Sequence, residues 1–175
     1  MIGPVKWTPL VIFILLGSAL TYGLAKPDTT NISSKMIGAS VPSFTLPPAT
    51  PGMPGLASSD LATGQPHLVN IFASWCVPCA AEAPQLKAIA DAGVPVVGIA
   101  VRDRPEALQR FLARHGNPFR AIGADDASQV QMALGSSGVP ESFVVDGKGQ
   151  ILHQVIGPIN PEDVAGLVAS VKAAR

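Results

Sequence analysis

"NIFASWCVPCAAEAP", residues 70–84, contains the only two cysteines of the chain, Cys76 and Cys79. The residues leading into it, "HLVNIFAS" (67–74), form an apolar run of strand length and read as a buried strand. Beyond it, Ala81, Leu86, Ile89 and Ala90 recur near helical spacing and Gly93 serves as a stop, which predicts a helix from Val77. The two sulfurs therefore fall where a strand turns into a helix.

That position separates the plain readings of a Cys-x-x-Cys pair from the chemical one. A structural staple across so small a loop removes little unfolded-state entropy. Half of a zinc site needs a second pair, and His67, His115 and His153 lack zinc-finger spacing from the cysteines. A redox dithiol, by contrast, gains from the junction, because the partial positive charge at a helix N-terminus stabilises a thiolate. On this reading Cys76 sits just ahead of the first turn with its sulfur exposed and acts as nucleophile. Cys79 lies inside that turn as the resolving thiol. Pro78 suits a first turn, where a missing N–H costs nothing, and stiffens the loop. Acidity alone contributes modestly. Lowering a thiol pKa from about 8.5 to about 7 raises the thiolate fraction roughly sixteen-fold, but intrinsic nucleophilicity falls about five-fold. Placement and leaving ability must supply the rest.

Two neighbours are candidates for supporting roles. Glu82 lies three residues beyond Cys79, so on a helix the two share a side. It could raise thiol pKa values and carry a proton to or from Cys79, or it could be an ordinary solvated glutamate. Trp75 could shield the disulfide and contact partners, or pack in the core. Asn70 shares a strand face with Phe72 and Ser74 and is neutral.

Outward from the dithiol, strands and helices alternate. "VPVVGIAV" (94–101) predicts a second buried strand. "RPEALQRFLARHG" (104–116) predicts an amphipathic helix with Leu108, Phe111 and Leu112 inward. "DASQVQMALG" (126–135) predicts a shorter helix. "ESFVVDGKGQILHQVIG" (141–157) gives two strands about a "DGKG" turn, and residues 161–174 a last helix. With a short strand at "VPSFTL" (41–46) and a Pro- and Gly-rich loop over 47–55, the pattern implies an α/β fold with a mixed sheet flanked by helices.

At the N-terminus, residues 8–25 carry no charge. With Trp7 they approach the roughly 20 apolar residues a transmembrane helix needs. Trp7 and Tyr22 suit the interfaces, and Lys6 favours a cytoplasmic N-terminus. The alternative is a signal peptide cut after Gly23 and Ala25. Both export the rest of the chain. The expected organisation is an anchor or signal segment over 1–25, a polar linker over 26–35 and one domain over 36–175. Charged residues are sparse at 14% and the formal net charge is zero. Nucleic acid is therefore not an expected partner, since phosphate binding needs clustered Lys and Arg.

"WCVPC" at a strand-to-helix junction, with "GVPESFVVDGKG" some sixty residues later, resembles the thioredoxin fold. Together with the N-terminal anchor, "IGASVPSFTL" and "HGNPF", the likeness is closer to the membrane-anchored CcmG/DsbE thiol-disulfide reductases of cytochrome c maturation. That resemblance implies Cys76 as nucleophile and Cys79 as resolving thiol. It also implies a cis Val139–Pro140 bond facing the dithiol, with backbone there pairing to an extended substrate. Glu82 and Glu141 match acidic positions of the family and would make the cleft acidic. Asn70 stands where ordinary thioredoxins have a buried Asp, which argues against a general cytosolic thioredoxin. The implied clients are apocytochrome c or a maturation protein that has captured it. The implied electron donor is a membrane protein of the DsbD or CcdA type, and the implied location is the periplasmic face of the inner membrane. No metal and no cofactor beyond a Cys76–Cys79 disulfide are expected. The rival functions are an exported reductase with another client and a copper metallochaperone, which would want a His beside the thiols.

Overall fold

The computed structural model describes residues 8–25 and 36–174. Two compact units make up the chain, Met1–Ser33 and Ser34–Arg175. In the first, the uncharged run forms helix α1 (Thr8–Ala25). Two of its hydroxyls bond within the helix: Ser18 Oγ donates to the Leu15 carbonyl and Thr21 Oγ1 to that of Gly17. At about 1.5 Å per residue its 18 residues span about 27 Å, short of a hydrocarbon core of about 30 Å. Among the described residues, no helix is long and apolar enough to cross a membrane. The expected linker over 26–35, with Lys6 and Trp7, lies outside the described residues.

The second unit begins with a two-stranded hairpin, β1 (Thr45–Leu46) and β2 (Leu56–Ala57). There follow β3 (His67–Phe72), α2 (Val77–Asp91), β4 (Val96–Val101), α3 (Pro105–His115), β5 (Ile122–Asp125), α4 (Gln129–Ala133), β6 (Glu141–Val145), β7 (Ile151–Ile156) and α5 (Asp163–Ala173). The main sheet runs β5-β4-β3-β6-β7. β3, β4 and β5 are parallel, while β6 runs antiparallel to β3 and β7 antiparallel to β6. The expected mixed α/β fold is what forms.

Position in that order explains the sequence of each strand. β3 is central, every one of its residues is buried, and it reads as apolar throughout. β7 is an edge, and its exposed residues interrupt the apolar ones. The other edge, β5, was not legible as a strand and is covered by the Pro-rich loop. Ala49 N–H donates to the Ile122 carbonyl, Ile122 N–H to Pro54 and Ala124 N–H to Pro47, at 2.9–3.0 Å. An edge covered this way cannot template aggregation. Close packing there requires Gly123: a Cβ on it would fall 2.7 Å from that of Leu46.

The core joins sheet and helices through aliphatic side chains and one aromatic group. Leu86 and Ile89 of α2, Leu108 and Phe111 of α3, and Leu167 and Val171 of α5 all enter the same buried cluster. Phe72 stacks on Phe119 at 4.6 Å and meets Phe111 at 6.0 Å. Its ring also occupies the space a side chain at Gly98 would need. Because β3 and β4 are parallel neighbours, the loops that leave their C-terminal ends emerge side by side. Those loops carry the chemistry.

Candidate active site

β3 ends at Phe72, and four residues later Cys76 caps α2. Its backbone is extended, and its Sγ accepts a hydrogen bond from Cys79 N–H at 3.2 Å. Pro78 occupies the first turn of the helix, where no intrahelical bond is lost. Cys76 and Cys79 are joined in a disulfide with Cα atoms 5.3 Å apart.

The expected exposed sulfur at Cys76 needs correction. The residue is only 5% exposed and Cys79 2%. Its chain neighbours Trp75 and Val77 are 59% and 80% exposed. Cys76 nonetheless lines an open groove of about 440 Å³ between α2 and α3. Access to it is narrow and directional rather than broad.

Trp75 divides two grooves. It borders the Cys76 groove on one side. On the other it borders a groove of about 480 Å³ shared with Arg102, Met132, Gly138 and Val139. The Val139–Pro140 bond is cis, as the resemblance implied. Pro140 is buried, and its carbonyl accepts from Gly157 N–H at 3.1 Å. Val139 is half-buried, and its N–H and C=O make no backbone hydrogen bond among the described residues. An unpaired backbone edge beside a groove is what an extended peptide requires.

Beneath the dithiol the structure is closed. Glu82 is 1% exposed, so the solvated reading fails. Its Oε1 accepts from Asn70 Nδ2 at 2.9 Å and its Oε2 from Ile159 N–H at 2.9 Å. Asn70 Nδ2 also donates to Ser142 Oγ at 3.0 Å. Burial pushes the Glu82 carboxyl above its usual range, and the bonds from Ile159 and Asn70 only partly oppose that shift.

A model of the Redoxin family matches residues 36–171. The thiol:disulfide interchange protein HelX of Rhodobacter capsulatus is 35% identical over 164 residues, 94% of this chain and 92% of that protein. DsbE of Escherichia coli strain K12 is 35% identical over 159 residues, 87% and 85% of the two chains.

The chain belongs to the DsbE family.

A solved DsbE structure from Chlorobium tepidum superposes with a TM-score of 0.66 at 29% identity, covering 79% of this chain and 96% of that one. Like its relatives, this DsbE-family chain is a thiol-disulfide oxidoreductase of thioredoxin-like fold.

Glu141 departs from the picture of an acidic cleft. It is 1% exposed, accepts from Ser137 N–H at 3.0 Å and is also bonded by the Gln154 amide. It ties down the loop before Pro140 and lines neither groove. With Glu82 also buried, the walls of this DsbE-family site take no surface charge from either carboxylate.

Four contributors, Ser74, Arg102, Asp103 and Arg104, escaped the sequence reading. Ser74 Oγ donates to Asp103 Oδ1 at 2.6 Å, and Arg104 N–H donates to the same oxygen at 2.8 Å. Arg102 has a positive φ of 47°, and its carbonyl accepts from Trp75 Nε1 at 3.2 Å. The loop after β4 thus holds the loop after β3 and fixes the indole. The one available signal was Asp103 two residues past the end of a parallel strand, where the ends of neighbouring strands converge.

Proposed function

We propose that this chain reduces disulfides of apocytochrome c, or of a maturation protein that has captured it, on the outer side of a membrane. The observation that carries this is the Cys76–Cys79 pair capping α2 and lining a groove bordered by Trp75, in a chain of the DsbE family whose Val139–Pro140 bond is cis.

In the reduced form, the Cys76 thiolate attacks one sulfur of the client disulfide. An S–S bond forms between Cys76 and the client, and the other client sulfur leaves as a thiolate. Cys79, after losing its proton, attacks Cys76 Sγ and releases the second client thiolate. Two electrons pass to the client, whose sulfurs take up two protons, and Cys76–Cys79 is left as the disulfide. Glu82 is the group placed to accept the Cys79 proton, because it lies three residues further along the same buried helix face and burial favours its protonated form. Val139 presents backbone to the extended client, while Pro140 and Glu141 hold that loop. The dipole of α2 favours the Cys76 thiolate.

An oxidising compartment requires electrons to arrive through the membrane, which fits a donor of the DsbD or CcdA type. The N-terminal segment fits anchoring by its uncharged residues 8–25 and the Ser18 and Thr21 hydroxyls bonded within the helix, with local bilayer thinning accommodating a short span. Expression of Cys76→Ser as the sole copy tests the role. Loss of covalently haem-bearing cytochrome c is expected, and normal assembly would contradict the proposal.

A further inference from the structure

We propose that Arg110 and Arg114 form an acidic-peptide subsite beside the dithiol, selecting clients that carry carboxylates next to their disulfide. This deepens the exchange reading above and rests on it. Both arginines lie on α3 one turn apart and line the groove that also contains Cys76. A client held on Cys76 therefore extends past them.

Neither guanidinium is needed for the fold. Both side chains are exposed, and Leu108, Phe111 and Leu112 provide the buried face of α3. Neither has an internal counterion: among the described residues the only ion pair joins Lys87 to Asp91. The acids nearest the dithiol are otherwise engaged. Glu82 and Glu141 are buried, and Asp103 accepts from the Ser74 hydroxyl and the Arg104 backbone N–H. Glu106, at the start of α3, forms no ion pair with either arginine. The groove therefore presents, beside its reactive sulfur, two exposed guanidinium groups that belong to no ion pair among the described residues.

Spacing narrows the occupant. Residues one helical turn apart stand about 6 Å from each other, and alternate side chains of an extended chain repeat about every 6.7 Å. An acidic-x-acidic segment in extended form matches both arginines, and guanidinium groups bind carboxylates with directional, paired hydrogen bonds.

The test uses the full chain, reduced and desalted in nonionic detergent. Two peptides share one Cys-x-x-Cys disulfide, followed in one by Glu-x-Glu and in the other by Lys-x-Lys. The wild type is expected to reduce the acidic peptide about ten-fold faster in second-order rate, the ratio falling towards one with added salt. Arg110→Glu/Arg114→Glu should invert the ratio, and Arg110→Gln/Arg114→Gln should bring it near one. Equal wild-type rates, or an unchanged ratio in the variants, overturn the subsite alone. Failure to reduce either peptide overturns the exchange reading and the subsite with it.

Discussion

The two sulfurs of one disulfide sit in opposite surroundings. On the outer side, Cys76 meets an open groove flanked by Trp75, Val77 and the arginines of α3. On the inner side, Cys79 shares a sealed helix face with Glu82, whose oxygens are held by Asn70 and the Ile159 amide. The outer side is built from exposed groups with few internal bonds, the inner from buried groups tied to β3, β6 and the segment before α5. Client binding can therefore be altered with little effect on stability, whereas proton handling and folding are the same set of contacts.

The largest effect that contrast implies is on the outer sulfur. Cys76→Ser should lower client reduction at least about a thousand-fold, since a hydroxyl cannot form the mixed disulfide. An insulin or peptide-disulfide reduction assay measures it.

Next comes the inner polar network. Asn70→Leu removes the donor to both Glu82 and Ser142 and should destabilise the oxidised protein by about 2–3 kcal/mol, read from guanidinium unfolding. A change near zero would mean that the network is not holding the core.

Glu82 sharpens the contrast through pH. Its folded pKa is raised above the ordinary glutamate value of 4.5 by burial, so between the two values the native state binds more protons than the unfolded one. Stability is therefore lost as pH rises from about 4.5 through the folded pKa, and is flat above it, with a slope of at most about 1.4 kcal/mol per pH unit. Glu82→Gln should abolish that decline. Unfolding curves from about pH 4 to about pH 8 would show the wild-type-minus-variant difference shrinking across the window; a difference that grows with pH would contradict the assignment.

The smallest stability effect belongs to the exposed indole. Trp75→Ala should change unfolding free energy by about 0.5 kcal/mol or less, yet slow client capture several-fold by stopped-flow fluorescence or quenched-flow trapping. A large loss of stability would place Trp75 with the inner side instead.

What was readable in the sequence follows the same division. β3, α2 and the β6–β7 hairpin announced themselves because burial, capping and turn chemistry are local. The cis bond at Pro140 came through the resemblance, since nothing in composition fixes it. β5 was missed because four residues including Gly123 show no strand period, and the strand exists only because the 47–55 loop and β4 pair with it. Glu82 left solvation open because a lone acid on a helix gives no sign of a distant amide at Ile159, 77 residues on. Ser74 and Asp103 meet across 29 residues, a contact that only the adjacency of two parallel strands creates. Expecting an exposed Cys76 left out its place in the core cluster, where the residue is buried with Cys79.

The most direct measurement of the outer-inner division is trapping with Cys79→Ala, followed by mass spectrometry of the covalent adduct. The expected result is a client thiol linked to Cys76, with no comparable adduct from the converse variant Cys76→Ala. An adduct carried by Cys79 in that converse variant at similar yield would contradict the division on which this mechanism stands.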